Sequence, residues 1–150
     1  IGFACCEFAM AHPDYFHTDM MLKSSSFIEK ASEARREAHA FEGMRCWRAV
    51  NTIIIEAMAL GDLPKDRVTA EQATFALVSV TVGSHIMGQE PNLKVFAGIK
   101  DQMQAVRLNQ DLLCDGLGWK PLLHEHDYRA TDQRIMKQVF PTASKWLKAA

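Results

Sequence analysis

Two polar side chains interrupt apolar stretches of the sequence and are the first candidates for chemistry or ligand binding. His85 stands among Val82, Ile86 and Met87, and Asn51 interrupts an apolar helical stripe in the same manner. A buried imidazole or amide needs hydrogen-bond partners, which either the protein or a bound small molecule can provide. His85 is therefore either a core histidine that a neighbour satisfies or a residue that faces a ligand.

A histidine can also act as an acid or a base, and Asp19 or Glu56 could serve as the carboxylate partner of His85. The sequence contains no nucleophile elbow, no phosphate-binding glycine loop and no H-E-x-x-H pair that would define such a reaction. His124 and His126 share a face only on an extended segment, so a solvated loop is a simpler interpretation than a metal site. We therefore expect no catalytic residue, no metal and no cofactor.

The composition is that of an ordinary globular domain. The 150 residues are 48% apolar and 23% charged, which is typical of a folded chain rather than a disordered one. With 17 basic and 18 acidic residues, the formal net charge is -1, so the chain lacks the positive charge with which proteins bind nucleic acid or anionic membranes. No uncharged stretch predicts a membrane span. The four cysteines do not indicate a disulfide scaffold, and we expect a reducing, cytoplasmic setting.

The apolar spacing is helical along nearly the whole chain and predicts a single all-α domain of six to eight helices. An amphipathic helix over 27–41 continues after Gly43, which marks a kink or a short break, and stops at Gly61. The next helix starts at Thr69, because Gln72 completes a capping-box spacing. The β-branched residues that follow also suit a strand by propensity, but no neighbouring segment alternates so as to pair with it.

From Pro91 onward the sequence predicts a helix that carries a heptad seam. The seam positions are three and four residues apart in turn: Phe96, Ile99, Met103, Val106, Gln110, Leu113 and Leu117. This spacing is typical of a helix packed lengthwise on another. Together with the Thr69 helix, which is apolar on every side, the seam leaves surplus apolar surface. A second copy of the chain, related by a two-fold axis, would bury this apolar surface, so we expect a homodimer with these residues at its interface.

Both ends of the chain are predicted to be helical. Residues 1–11 are typical of the end of a helix already under way, and a helix over 13–23 follows. Thr131 can cap a short helix through Val139, and Pro141 can begin a last turn. No internal repeat divides the chain, so residues 1–150 form one domain.

The order of four segments along the chain is distinctive. Residues 8–16 (FAMAHPDYF) resemble an F-A-x-x-x-P-x-x-F opening, and residues 57–63 (AMALGDL) an A-x-x-x-G-x-L helix end. Residues 69–83 are similar to the helix that comes next, and residues 111–122 (DLLCDGLGWKPL) to an L-L-x-G-L-G-W-x-P ending. In this order they resemble the C-terminal domain of TetR-family transcriptional regulators, over most of residues 3–122.

The resemblance implies the effector-binding and dimerisation domain of a bacterial repressor. In this family two late helices of each subunit form a four-helix dimer interface, and a small, largely apolar effector binds between the helices. Ile1 already lies where the family's linker helix runs, so operator DNA is expected to bind only through a helix-turn-helix domain that this chain lacks. Residues 123–150 form a C-terminal extension without a matching motif. The expected effector pocket comprises Phe8, Phe16, Met20, Met44, Trp47, Asn51, Phe75 and His85.

Two other classes of function stay open at this point. A helical-bundle enzyme would use His85, and a stand-alone interaction module would need no pocket. Turnover of a substrate would identify the enzyme. A small molecule that co-purifies with the chain would separate the sensor from the interaction module.

Overall fold

The structure is a computed structural model that describes residues 2–139, and every regular element in that range is a helix. Its helices are α1 (Gly2–Ala11), α2 (Pro13–Leu22), α3 (Ser25–Lys30), α4 (Glu33–Leu60), α5 (Ala70–Met87), α6 (Pro91–Phe96), α7 (Gln102–Leu117) and α8 (Tyr128–Gln138). The predicted all-α class is confirmed for this range. Within the same range, no helix combines the length and apolar character that crossing a bilayer requires. The last turn predicted at Pro141 lies outside the described residues.

Helix α5 is the centre of the fold, because α1, α4 and α7 all pack against it. Its first turn is closed by the predicted capping box. The Gln72 backbone N–H donates to Thr69 Oγ1 at 3.2 Å, and the Thr69 N–H donates to Gln72 Oε1 at 2.9 Å. This reciprocal pair satisfies two of the amides that a helix start leaves without partners. The segment is therefore a helix, despite its β-branched residues.

The apolar core lies between α4, the start of α5 and the end of α7. Its buried members are Ile54, Ala57, Met58, Leu63, Ala73 and Leu117. Leu63 reaches this cluster because Gly61 ends α4 in the left-handed conformation, with φ of 88°. The chain then turns back, and the N–H groups of Asp62 and Leu63 both donate to the Ala57 carbonyl. Burial of one leucine or isoleucine side chain stabilises the fold by about 1.5–3 kcal/mol.

Exchange of Gly43 and of Gly61 for alanine is expected to have opposite effects on stability. Neither glycine has an atom within 4 Å of an added Cβ, so backbone conformation alone decides. Gly43→Ala should stabilise α4 by about 1 kcal/mol, whereas Gly61→Ala should cost about 1–2 kcal/mol because a Cβ is strained at positive φ. Urea unfolding of both variants measures this. Changes of the same sign in the free energies of unfolding of both variants would contradict the left-handed conformation of Gly61 at the end of α4.

The prediction of one continuous helix over 27–41 is wrong. Helix α3 ends at Lys30, and Ala31 and Ser32 adopt extended backbone conformations, with ψ of 147° and 154°. Helix α4 then starts at Glu33, where a carboxylate in the first turn interacts favourably with the helix dipole. From there α4 continues without a break through Gly43.

The helix predicted from Pro91 to Leu117 is also two helices. Proline occupies the first position of α6 as expected, but the chain leaves the helical conformation at Gly98, where φ is 65°. Helix α7 begins after Asp101, whose carboxylate accepts the Gln104 N–H at 3.2 Å. The three- and four-residue spacing of the seam continues through the sequence across this break, because the five residues between α6 and α7 keep the apolar positions in step.

Helix α8 starts four residues earlier than a cap at Thr131 would place it. Asp127 is the N-cap, and its carboxylate accepts the Ala130 N–H at 3.2 Å. Asp132 on this helix forms an ion pair with Arg107 of α7. The extension beyond residue 122 is thereby joined to the helical bundle.

Candidate functional site

His85 lies at the contact between α2 and α5. Its side chain is 3% exposed, and its ring centroid is 5.3 Å from that of the buried Phe16. The Nε2 atom has no hydrogen-bond partner among the described residues. Burial lowers the pKa of His85, so the ring is neutral at pH 7. A buried polar atom without a partner costs about 1–3 kcal/mol, and a bound polar group could remove that cost.

His85→Leu is expected to stabilise the protein by about 1 kcal/mol at pH 7 and to change its response to acid. The folded-state pKa of His85 lies below the ordinary 6.5, so the unfolded chain binds the extra proton first. Wild-type stability therefore falls as pH drops below about 6.5, down to the folded-state pKa, and the variant lacks this loss. Urea unfolding at pH 7.5 and pH 5.5 measures the difference between the two proteins.

The buried Glu7 and the half-buried Asp111 and Asp132 act in the opposite direction, because removal from water raises their pKa values. They are present in both proteins and cancel in the comparison. A stability difference between wild type and His85→Leu that does not grow at pH 5.5 would contradict the prediction.

A second group of predicted pocket residues lies between α4 and α5. Trp47 and Phe75 stack with ring centroids 6.3 Å apart and an interplanar angle of 17°, and most of the Phe75 side chain is exposed. The Thr74 hydroxyl lies 2.9 Å from Asn51 Oδ1. The amide oxygen of Asn51 therefore has a partner within the protein.

The expected pocket residues thus lie at separate places. Phe75 and His85 are ten residues apart on α5, which corresponds to about 15 Å along the helix axis. The remaining three are spread further. Phe8 of α1 contacts the ring of His12, the residue before α2; Met20 is half-buried on α2, and Met44 is exposed on α4. The structure brings Phe16 to His85 and Trp47 to Phe75, but it does not collect all eight around one cavity.

An open cleft of about 830 Å³ is formed by residues of α2, the segment after α5, α6 and the start of α7, and its lining includes neither Phe16 nor His85. We call it the α6 cleft, and its lining residues are His17, Gly88, Gln89, Pro91, Lys94, Val95, Gly98, Ile99, Lys100 and Gln102. Its volume falls in the range of small-molecule sites. Sequence reasoning missed it because a continuous helix over 91–117 leaves no such cleft. The signals that could have revealed it were Gly98 and the helix-start spacing of Asp101 and Gln104.

The α6 cleft shares its walls with the surroundings of His85. The Gln102 side chain donates to the His85 carbonyl at 3.2 Å. It also lies within 2.7 Å of where a Cβ on Gly88 would stand, so the glycine makes room for it. On the other side, His17 Nε2 and Gln89 Oε1 are 2.7 Å apart and link α2 to the end of α5. A molecule in the cleft would therefore contact both α2 and the residues that hold α7 to α5.

The predicted seam packs mainly inside the single chain. Val106 is fully buried, Leu117 belongs to the core, and Leu113 packs against it. The Gln110 side chain donates to Thr81 Oγ1 of α5 at 2.8 Å. The lengthwise packing of this helix on another is thus present within one chain.

The other seam positions lie elsewhere. Phe96 is 89% exposed on α6, Ile99 lines the α6 cleft, and Met103 is half-buried near the start of α7. The exposed apolar side chains of α7 are instead Leu108 and Leu112. Any contact of α7 with a second copy must use these, since the inner face is already covered.

A polar network joins α1, α7 and α8, and sequence reasoning did not predict it. Arg107 pairs with Asp132. Burial raises the pKa of Glu7, and the positive charge of Arg107 makes this rise smaller. Burial also raises the pKa of Cys6 to about 12 and that of Cys114 to about 11. These thiols are therefore protonated and poor nucleophiles at neutral pH. No local pattern could reveal pairs that are separated by many residues in sequence.

The residues weighed for acid-base chemistry are not near His85 in any contact described here. Asp19 pairs with Lys23 and lies 3.9 Å from His39, while Glu56 is exposed on α4. His126 Nε2 lies 3.0 Å from the Thr131 hydroxyl. Over residues 2–139, no three histidine, cysteine or acidic side chains come together so as to hold a metal ion.

Comparison of the chain with known proteins found no matching family model, no matching curated protein and no matching solved structure, so membership of the TetR family stays a prediction.

Proposed function

We propose that this chain is the effector-binding and dimerisation domain of a bacterial TetR-like transcriptional repressor that senses a small, largely apolar molecule. The observation that carries the proposal is the unpartnered Nε2 of His85, buried against Phe16 where α2 meets α5. An effector bound there buries its apolar part beside Phe16 and supplies the missing hydrogen bond. Such a site, apolar with one oriented polar atom, suits a small organic ligand.

Effector binding acts on DNA through α1 and α2. Helix α1 packs on α5 and α7 and contacts α2, and it buries Cys6 and Ala9. By its resemblance to the family's linker helix, α1 would carry the DNA-binding heads. An effector that holds α2 against α5 selects one arrangement of α1. The affinities for the two arrangements must differ, because each tenfold preference shifts the equilibrium by only about 1.4 kcal/mol.

The dimer forms through the outer faces of α5 and α7. Ile86 and Met87 are exposed on α5, as are Leu108 and Leu112 on α7. No Asp, Glu, Lys or Arg occurs over residues 72–89, so this part of α5 presents an uncharged surface. A second copy that pairs these faces in a four-helix arrangement covers them without disturbing the inner seam. A stable interface needs about 800 Å² from each partner.

Native mass spectrometry combined with thermal unfolding tests the proposal. We expect a mass near twice 16.9 kDa and at least one compound, from a panel of small apolar molecules, that raises the melting temperature by several degrees. His85→Leu should abolish that rise, and His124→Leu, at an exposed histidine, should retain it. A monomer at micromolar concentration, or a compound effect that survives His85→Leu, would contradict the proposal.

A further inference from the structure

We propose that the α6 cleft binds the head of a small amphipathic acid, a molecule with one carboxylate and an apolar body. This deepens the proposed function, on which it rests for its regulatory meaning, because it gives the chemical class of the effector. The Gln102 side chain lines the cleft and donates to the backbone carbonyl of His85, so a molecule in the cleft would lie next to the segment that carries His85.

The side chains that can carry charge in the cleft lining are all of one sign. They are Lys94, Lys100 and His17. Neither lysine takes part in an ion pair with any of the described residues. The whole chain has a net charge of -1, so this local positive charge runs against the overall balance. Two ammonium groups that form no ion pair with the described residues favour a ligand that brings an anion.

The two nearest carboxylates in sequence accept backbone hydrogen bonds at helix starts. Glu90 caps α6 and accepts the N–H groups of Asn92 and Leu93. Asp101 caps α7 and accepts the Gln104 N–H. Both are held at helix starts, where the backbone amides stabilise their charge. They are not among the lining residues, and they leave the lysines available.

The turn after α6 brings the two lysines to the same cleft. The Ile99 N–H donates to the Lys94 carbonyl at 2.9 Å, and the Gly98 N–H to the Val95 carbonyl at 3.1 Å. This closure, with Gly98 in the left-handed conformation, is a Schellman-type helix end. It folds the chain back so that Lys100 follows directly on the segment that faces Lys94. Without the break, the six-residue separation would place the two on different sides of a helix.

The rest of the lining suits an apolar body. Pro91, Val95 and Ile99 line the cleft beside the lysines, and the Val95 side chain is exposed. The Gln89 and Gln102 amides add donors and acceptors. A volume of about 830 Å³ exceeds what a bare inorganic anion needs and accommodates an organic acid of moderate size.

Calorimetric titration with three probes tests the proposal: 4-phenylbutyrate, its neutral analogue 4-phenylbutanol, and inorganic phosphate. We expect 4-phenylbutyrate to bind at least tenfold more tightly than the alcohol. The double variant Lys94→Met, Lys100→Met should lose at least tenfold in affinity for the acid. The matched control Lys30→Met, Lys65→Met removes the same charge at exposed positions outside the cleft and should change the affinity by less than twofold.

Equal losses in the two double variants, or an alcohol that binds as tightly as the acid, would overturn the proposal. Phosphate that competes as well as the acid would overturn the part that assigns an apolar body. These outcomes are distinct from failure of the proposed function. A dimer that a neutral compound stabilises through His85, and that does not bind the acid, would contradict acid binding in the cleft but would support the proposed function. A monomer that binds the acid through the lysines would contradict the proposed sensor function but would support acid binding in the α6 cleft.

Discussion

Val106→Asp is expected to unfold the domain, whereas Leu112→Glu on the same helix is expected to leave it folded and to separate the dimer. Val106 is fully buried where α7 packs on α5, and Leu112 is 58% exposed. A buried carboxylate without a partner costs about 3–5 kcal/mol, a large part of the roughly 5–15 kcal/mol by which domains are stable. A charge on the exposed face costs the monomer about 0.5 kcal/mol or less, but it opposes association with an apolar mate.

Circular dichroism and native mass spectrometry of the two variants give the measurement. We expect Val106→Asp to show reduced helical signal at 25 °C, and Leu112→Glu to show a full signal with the mass of one chain. A folded, monomeric Val106→Asp would mean that the seam faces a second copy, as the periodicity alone predicts. A dimeric Leu112→Glu would exclude the outer face of α7 from the interface.

Leu63→Ala is expected to destabilise the protein by about 2–5 kcal/mol, the range for truncating a buried leucine. Leu63 is 1% exposed and reaches the core only because the chain reverses after α4. Its loss leaves a cavity against Ile54 and Leu117, which belong to the same cluster. Leu60→Ala, three residues earlier and 79% exposed, should change the stability by about 0.5 kcal/mol or less.

Urea unfolding at equilibrium, with both variants beside wild type, measures the two free energies of unfolding. Unchanged slopes would show that the native states remain equally compact. A loss below about 1 kcal/mol for Leu63→Ala would mean that the segment after α4 does not dock on the core. A loss at Leu60→Ala as large as at Leu63→Ala would place a second copy or another segment over the exposed end of α4.

Local signals in the sequence were reliable where one or two neighbouring residues decide the backbone. The capping box of Thr69 and Gln72 and the left-handed end at Gly61 were both predicted and are both present. Each depends on hydrogen bonds or sterics within one helical turn, which the sequence specifies completely. Gly98 and Asp101 carry signals of the same kind. The seven-residue periodicity concealed them, because five residues outside a helix kept its spacing.

Periodicity alone determined that α7 has an apolar face, and that the domain is helical. Only the tertiary structure decided what meets that face: Val106 is buried, Gln110 donates to Thr81 of α5 in the same chain, and Leu112 is exposed. The hydrophobic effect is not directional, so an apolar seam is buried equally well by another helix of the same chain or by a second copy of the chain. The same holds for the candidate site, since the sequence indicated His85 but not the lysines of the α6 cleft. Which side chains share a cleft depends on helix breaks and packing, and both are decided when distant segments meet.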